Sequence, residues 1–209
     1  MAEQMRQVAS LFGDWPEAII WTCLEGRMGQ IHVDNTQSPQ SVLALYGRQS
    51  FFGFLAGKPN VDLLKMCEGK DIILVPQNQA WSDLIEGTYG DRIRSFTRYA
   101  TKKDTSFDLG HLQKLIDALP EEFDLKVIDR NLYDACLVEE WSRDLVGNYA
   151  DVEQFLDLGL ARACAAQLIL ACLDRNLYPS WDAHTLTSLK LAEKLGYQLD
   201  KPYQAYEWR

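Results

Sequence analysis

The sequence is short of most features that announce a function. It has no CxxC pair, and its three histidines, His32, His111 and His184, stand far apart. A zinc site would need four ligands converging from unrelated parts of the chain, so no metal is implied. The five cysteines (Cys23, Cys67, Cys136, Cys164 and Cys172) are odd in number, scattered and mostly set in apolar stretches. They read as buried free thiols in a reducing compartment. No apolar run approaches the ~20 residues that cross a bilayer, and the start, Met1-Ala2-Glu3-Gln4-Met5-Arg6, lacks the apolar stretch of a signal peptide. A soluble, cytoplasmic protein with no membrane partner is expected. Positive charge is scarce too, with 21 Lys and Arg against 30 Asp and Glu and a formal charge of −9. An acidic surface repels phosphate backbones, so no nucleic-acid partner is expected. GxSxG, P-loop, HExxH and GxGxxG motifs are all missing, which removes the common hydrolase, nucleotide and dinucleotide signatures.

What is present is ordinary globular composition, 47% apolar and 24% charged over 209 residues. That length carries one large domain or two small ones, each with a core. No low-complexity linker interrupts it. The pentapeptide Asp129-Arg130-Asn131-Leu132-Tyr133 recurs at Asp174-Arg175-Asn176-Leu177-Tyr178, but the flanks differ completely, so it is a coincidence and not a repeat unit. In the first half, 18–24 and 29–34 read as strands around a hairpin turn at Glu25-Gly26-Arg27. Strands follow at 41–46 and 50–55, with Gly47 and Gly53 marking turns, then a helix at 61–68. A buried strand at 71–76 ends on Pro76, followed by a short helix at 81–86 and an alternating strand at 93–100.

The polar stretch Lys102-Lys103-Asp104-Thr105-Ser106 places a domain boundary at 104, giving domains 1–104 and 105–209. Beyond it come a helix at 112–118, a strand at 123–128 and a charged helix at 132–145. Glu139 and Glu140 on that helix read as a solvated face. The run 160–173 is apolar nearly all round, as in a helix packed on a sheet. A short strand at 177–181, a helix at 185–195 closed by Gly196 and a last strand at 203–208 complete an α/β (α+β) protein. Asp182 and His184, two apart beside Trp181, can face one side of a strand. They form either an acid–base pair or a structural cap or turn.

The segment Pro179-Ser180-Trp181-Asp182-Ala183-His184, followed by Ser188 and Leu191-Ala192-Glu193-Lys194-Leu195-Gly196-Tyr197, resembles the end of the GNAT N-acetyltransferase superfamily. Tyr46-Gly47-Arg48-Gln49-Ser50-Phe51-Phe52-Gly53-Phe54, with Leu74-Val75-Pro76 and Trp81, is similar to the N-terminal region of the subgroup that contains zwittermicin A resistance acetyltransferases. Arg98-Tyr99-Ala100, Phe107-Asp108 and Leu119-Pro120 extend the likeness over most of the chain. The resemblance implies an N-terminal mixed α/β region followed by a GNAT-like acyl-CoA N-acyltransferase domain. It further implies an acetyl-CoA-dependent transferase acting on a small-molecule amine. The alternative is a non-catalytic GNAT-like binding or interaction module.

By that resemblance the CoA pyrophosphate sits on a loop at a helix N-terminus, where backbone N–H groups take phosphate oxygens. Gly159, Leu160 and Ala161 fall at that position, and Thr185 falls where the family's last helix begins near the cofactor. Leu156 stands where the loop has Arg or Gln, and Asp157 where it has a small residue. Ala192 stands where many members place a tyrosine acid, which leaves Asp182 and His184 as the catalytic candidates. The segment 153–159 runs straight into the helix at 160, so the family's central strand pair, on the order of 20–40 residues, has no counterpart in the sequence.

Overall fold

The computed structural model describes residues 2–47, 50–103, 106–126 and 160–209. Within them lie seven α-helices: α1 (Ala2–Phe12), α2 (Ala18–Leu24), α3 (Val61–Lys65), α4 (Gln79–Tyr89), α5 (Leu109–Asp117), α6 (Leu160–Asp174) and α7 (Leu186–Lys194). Seven strands accompany them: β1 (Gln30–Val33), β2 (Ser41–Gly47), β3 (Ser50–Gly57), β4 (Asp71–Pro76), β5 (Ile93–Thr101), β6 (Asp182–Ala183) and β7 (Leu199–Trp208). This is a mixed α/β fold around one sheet, ordered β1-β2-β3-β4-β7-β5-β6. By compactness the chain forms two units. The first holds Met1–Ala100, Asp182–Thr185 and Asp200–Arg209, and the second holds Thr101–Trp181 and Leu186–Leu199.

In the first unit, strand alternation sorts the apolar residues onto two faces. Leu43, Leu45, Leu55, Ile72, Leu74 and Tyr206 pack with α3 and α4 around fully buried Trp81. Val42, Ala44, Phe54, Val75 and Ala205 pack with α1 and α2 through Val8, Phe12 and Ile20. β2 pairs antiparallel with β1 and β3, and β3 pairs parallel with β4. Gly47 ends β2 at φ 126, and a Cβ there would stand 2.2 Å from the Ser50 carbonyl oxygen, so only glycine fits. Asn60 and Asn78 cap α3 and α4 by accepting backbone N–H bonds.

The second unit has its own core. Leu112 of α5, Ala166 and Ile169 of α6, and Ala192 of α7 are buried together with Leu195 and Tyr197. The Tyr197 hydroxyl donates to the Pro179 carbonyl at 2.6 Å. Burial pushes that phenol upward, with Tyr178 and Cys172 adding to the effect.

Several expectations are corrected. Residues 18–24 form α2 and not a strand, because Ile20, Cys23 and Leu24 recur at helical spacing on its buried side. The Glu25-Gly26-Arg27 turn therefore follows a helix. Gly53 marks no turn but lies inside β3, where a Cβ would press on Leu43, Ile72 and Leu74 at 3.2–3.3 Å. Residues 123–126 carry no regular structure; Phe123 is 40% exposed and closes a turn onto the Pro120 carbonyl. The strand placed at 177–181 is instead Asp182–Ala183, fixed by pairing with Ala100 and Tyr99. The apolar helix α6 exists, and among the described residues its buried side packs with Leu112 of α5 and Ala192 of α7, while Leu168 is 63% exposed. Cys164 is exposed, unlike Cys23 and Cys67. The helix at 132–145, with Glu139 and Glu140, lies outside the described residues. No helix among the described residues is long and apolar enough to cross a membrane.

Candidate functional site

β5 reaches the far side of the sheet carrying a charge in an apolar setting. Arg98 is only 6% exposed. A buried guanidinium needs partners for its donors, and two distant segments supply them. Its Nε donates to Asp182 Oδ1 at 2.9 Å and to the Tyr203 hydroxyl at 3.0 Å, and its Nη2 donates to Asp182 Oδ1 at 2.5 Å. The Tyr203 hydroxyl donates in turn to Asp182 Oδ2 at 2.7 Å. Nη1 lies 3.0 Å from His184 Nδ1. The guanidinium sits 5.2 Å from the centre of the Phe52 ring, a cation–π contact. The Phe96 ring packs 4.8 Å from that of His184.

The electrostatics follow from this geometry. Burial opposes the charge on Arg98, but Tyr203 and Asp182 outweigh it and hold the guanidinium above its ordinary value. Burial, with the Asp182 charge added, pushes Tyr203 well above the usual phenol range despite the opposing pull of Arg98. Tyr203 therefore stays protonated and keeps donating to the carboxylate. Both Asp182 oxygens are engaged, while His184 is the exposed member of the cluster.

Tyr203 also lines a cavity of about 320 Å³ in the same unit. Its walls include Asp14, Glu17 and Asp200 against one cation, Lys201, with Trp15 as a second aromatic face. Glu17 is 7% exposed. Carboxylates beside aromatic faces suit an organic cation.

The structure thus brings Asp182 and His184 to one side of β5, but through Arg98 and not by a bond to each other. Thr185 follows His184 in the turn before α7. Leu160 and Ala161 open α6 in the second unit, and Gly159 lies outside the described residues. Sequence reading missed Arg98 and Tyr203 as site residues. The sequence offered little signal, because the strand also carries Arg94 and its burial does not alternate. No group of His, Cys, Asp and Glu able to hold a metal occurs among the described residues.

A mixed α/β chain with a buried charge cluster beside a cavity is compatible with many enzymes, and comparison with known proteins narrows the class. The sequence model of the family described as GNAT acetyltransferase matches residues 9–160 and 157–206. The crystal structure of a GCN5-related N-acetyltransferase-like protein from Streptococcus suis 89/1591 is 71% identical, with TM-score 0.90 and all of both chains covered. A Drosophila protein aligns at 11% identity and TM-score 0.41 over 100% of this chain and 88% of its own, too distant to argue from. No curated protein matches. The chain belongs to the GNAT acetyltransferase family.

Proposed function

We propose that the chain is an acetyl-CoA-dependent N-acetyltransferase that modifies the amine of a small molecule in the cytoplasm. The observation that carries this is the family match across residues 9–160 and 157–206. In such a reaction the amine nitrogen attacks the thioester carbonyl carbon, a C–N bond forms and the C–S bond breaks. The amine proton leaves to a base or water, and the thiolate takes up a proton. The acidic, aromatic-walled cavity is the candidate entry for the amine, and Asp182 and His184, joined to its Tyr203 wall through hydrogen bonds and Arg98, are the candidate polar groups. For the CoA pyrophosphate the candidate cradle is the start of α6, with Gly159, Leu160 and Ala161, and Thr185 is a further candidate contact. In support, α6 is a 15-residue helix with no acidic residue in its first turn, so its N–H groups suit an anion. Within the family, the motifs at 46–54 and 74–76 favour the subgroup of zwittermicin A resistance acetyltransferases.

A second reading, a non-catalytic GNAT-like binding module, draws on one observation. The two matched stretches meet at 157–160, where the sequence also carries Leu156 and Asp157 in the phosphate-loop positions. An assay of CoA thiol release over a panel of mono- and diamines separates the two. Amine-dependent release supports the transferase, and its absence with every amine supports the non-catalytic module with a degenerate CoA site.

A further inference from the structure

We propose that Arg98 is a positioning residue that fixes His184 as its Nε2–H tautomer, making His184 a hydrogen-bond donor to the acyl oxygen of the bound thioester and not a proton acceptor. The pairing Asp182–His184 suggests a carboxylate orienting an imidazole, which would place the proton on the nitrogen facing the carboxylate and free the other as a base. The geometry points the other way. Asp182 is turned to Arg98 and Tyr203, both of its oxygens taken, and the group that meets His184 Nδ1 is Arg98 Nη1 at 3.0 Å. A guanidinium carries only donors, so Nδ1 must offer its lone pair and the ring proton belongs on Nε2. A proton placed on Nδ1 would point into the guanidinium.

The arrangement is braced on each side. Asp182 Oδ1 and the Tyr203 hydroxyl hold Nε, Asp182 Oδ1 holds Nη2, and Phe52 lies against the guanidinium, which keeps Nη1 directed at the ring. Phe96, against the imidazole, limits its turning. The nitrogen directed away from Arg98 is Nε2, on an exposed side chain, and it presents N–H to whatever binds there. Such a donor suits an oxygen that gains negative charge. The acyl oxygen as acceptor rests on the transferase reading; the tautomer does not.

The test uses the full chain with ¹⁵N-labelled histidine, studied by long-range ¹⁵N–¹H correlation at about pH 8, above the range in which histidines ordinarily titrate. The His184 signals are identified by their loss in His184→Gln. The wild type is expected to show an unprotonated Nδ1 and a protonated Nε2. A protonated Nδ1 in the wild type overturns the proposal, and that result needs no variant to fold. Arg98→Gln is expected to give a mixed population of tautomers, with Arg98→Lys retaining the wild-type pattern more fully. An unchanged tautomer in a folded Arg98→Gln protein overturns the role of Arg98. Adding acetyl-CoA is expected to shift the Nε2–H proton downfield. Binding without that shift overturns the acyl-oxygen contact alone. No binding at all removes that contact together with the transferase reading, while the tautomer is decided separately.

Discussion

The two ends of the sheet are built on different principles. From β1 to β4 the strands are registered along long ladders, with four residue pairs, then seven, then six, and both faces are apolar. At the other end the long strands β7 and β5 are hydrogen-bonded neighbours, but β7 meets β4 at one registered pair and the edge strand β6 meets β5 at two. There a buried charge cluster spans residues from 98 to 203. The apolar end gains its stability from area removed from water, where an unpartnered polar group costs free energy. The polar end is fastened by hydrogen bonds that also aim side chains outward, and it is where chemistry can be placed. On the proposed function, stability and chemistry are thus divided along one sheet.

The largest expected effect lies at the apolar end. Trp81 is fully buried, and its Nε1 donates to the Gly57 carbonyl at 3.0 Å, so Trp81→Ala is expected to lower stability by about 3–5 kcal/mol in denaturant unfolding. A loss under about 1 kcal/mol would break the comparison at its stronger side. Next comes Asp182→Asn, which leaves Arg98 buried without its counter-charge and is expected to cost about 2–3 kcal/mol. Stability equal to the wild type would mean the cluster fastens nothing. Tyr203→Phe removes one hydroxyl that donates to Asp182 and accepts from Arg98. The same unfolding measurement should show a loss of about 1 kcal/mol, and a gain would count against the network.

The smallest effect sharpens the comparison by an exception. His32, on β1 at the apolar end, has a buried Nε2 with no hydrogen-bond partner. Burial, with Lys70 adding to it, lowers its pKa below the ordinary imidazole value. The unfolded chain then binds the proton more readily, so stability is full above about pH 6.5 and falls as pH drops below it. Thermal unfolding at a series of pH values should show that slope, and His32→Phe should flatten it. The same slope in both proteins would assign it to another group.

Much of the apolar end was legible, because runs such as 41–46, 50–55 and 71–76 show a strand's composition directly in sequence. Residues 18–24 were not, since a seven-residue run of β-branched and apolar residues satisfies either period until its neighbours choose the buried side. Gly53 misled for a related reason. A glycine in a strand marks a turn or a crowded sheet centre, and only the side chains of Leu43, Ile72 and Leu74 tell which. At the polar end the spacing of Asp182 and His184 was visible. The residue that links them was not, because Arg98 is 84 positions from Asp182 and 105 from Tyr203. Local patterning carries no record of such pairings.

The most direct test of the account is a calorimetric titration of the intact chain with acetyl-CoA. The transferase reading predicts saturable one-to-one binding in the micromolar range. No heat at high ligand concentration would contradict it, and would leave a family member whose sheet persists without its acyl donor.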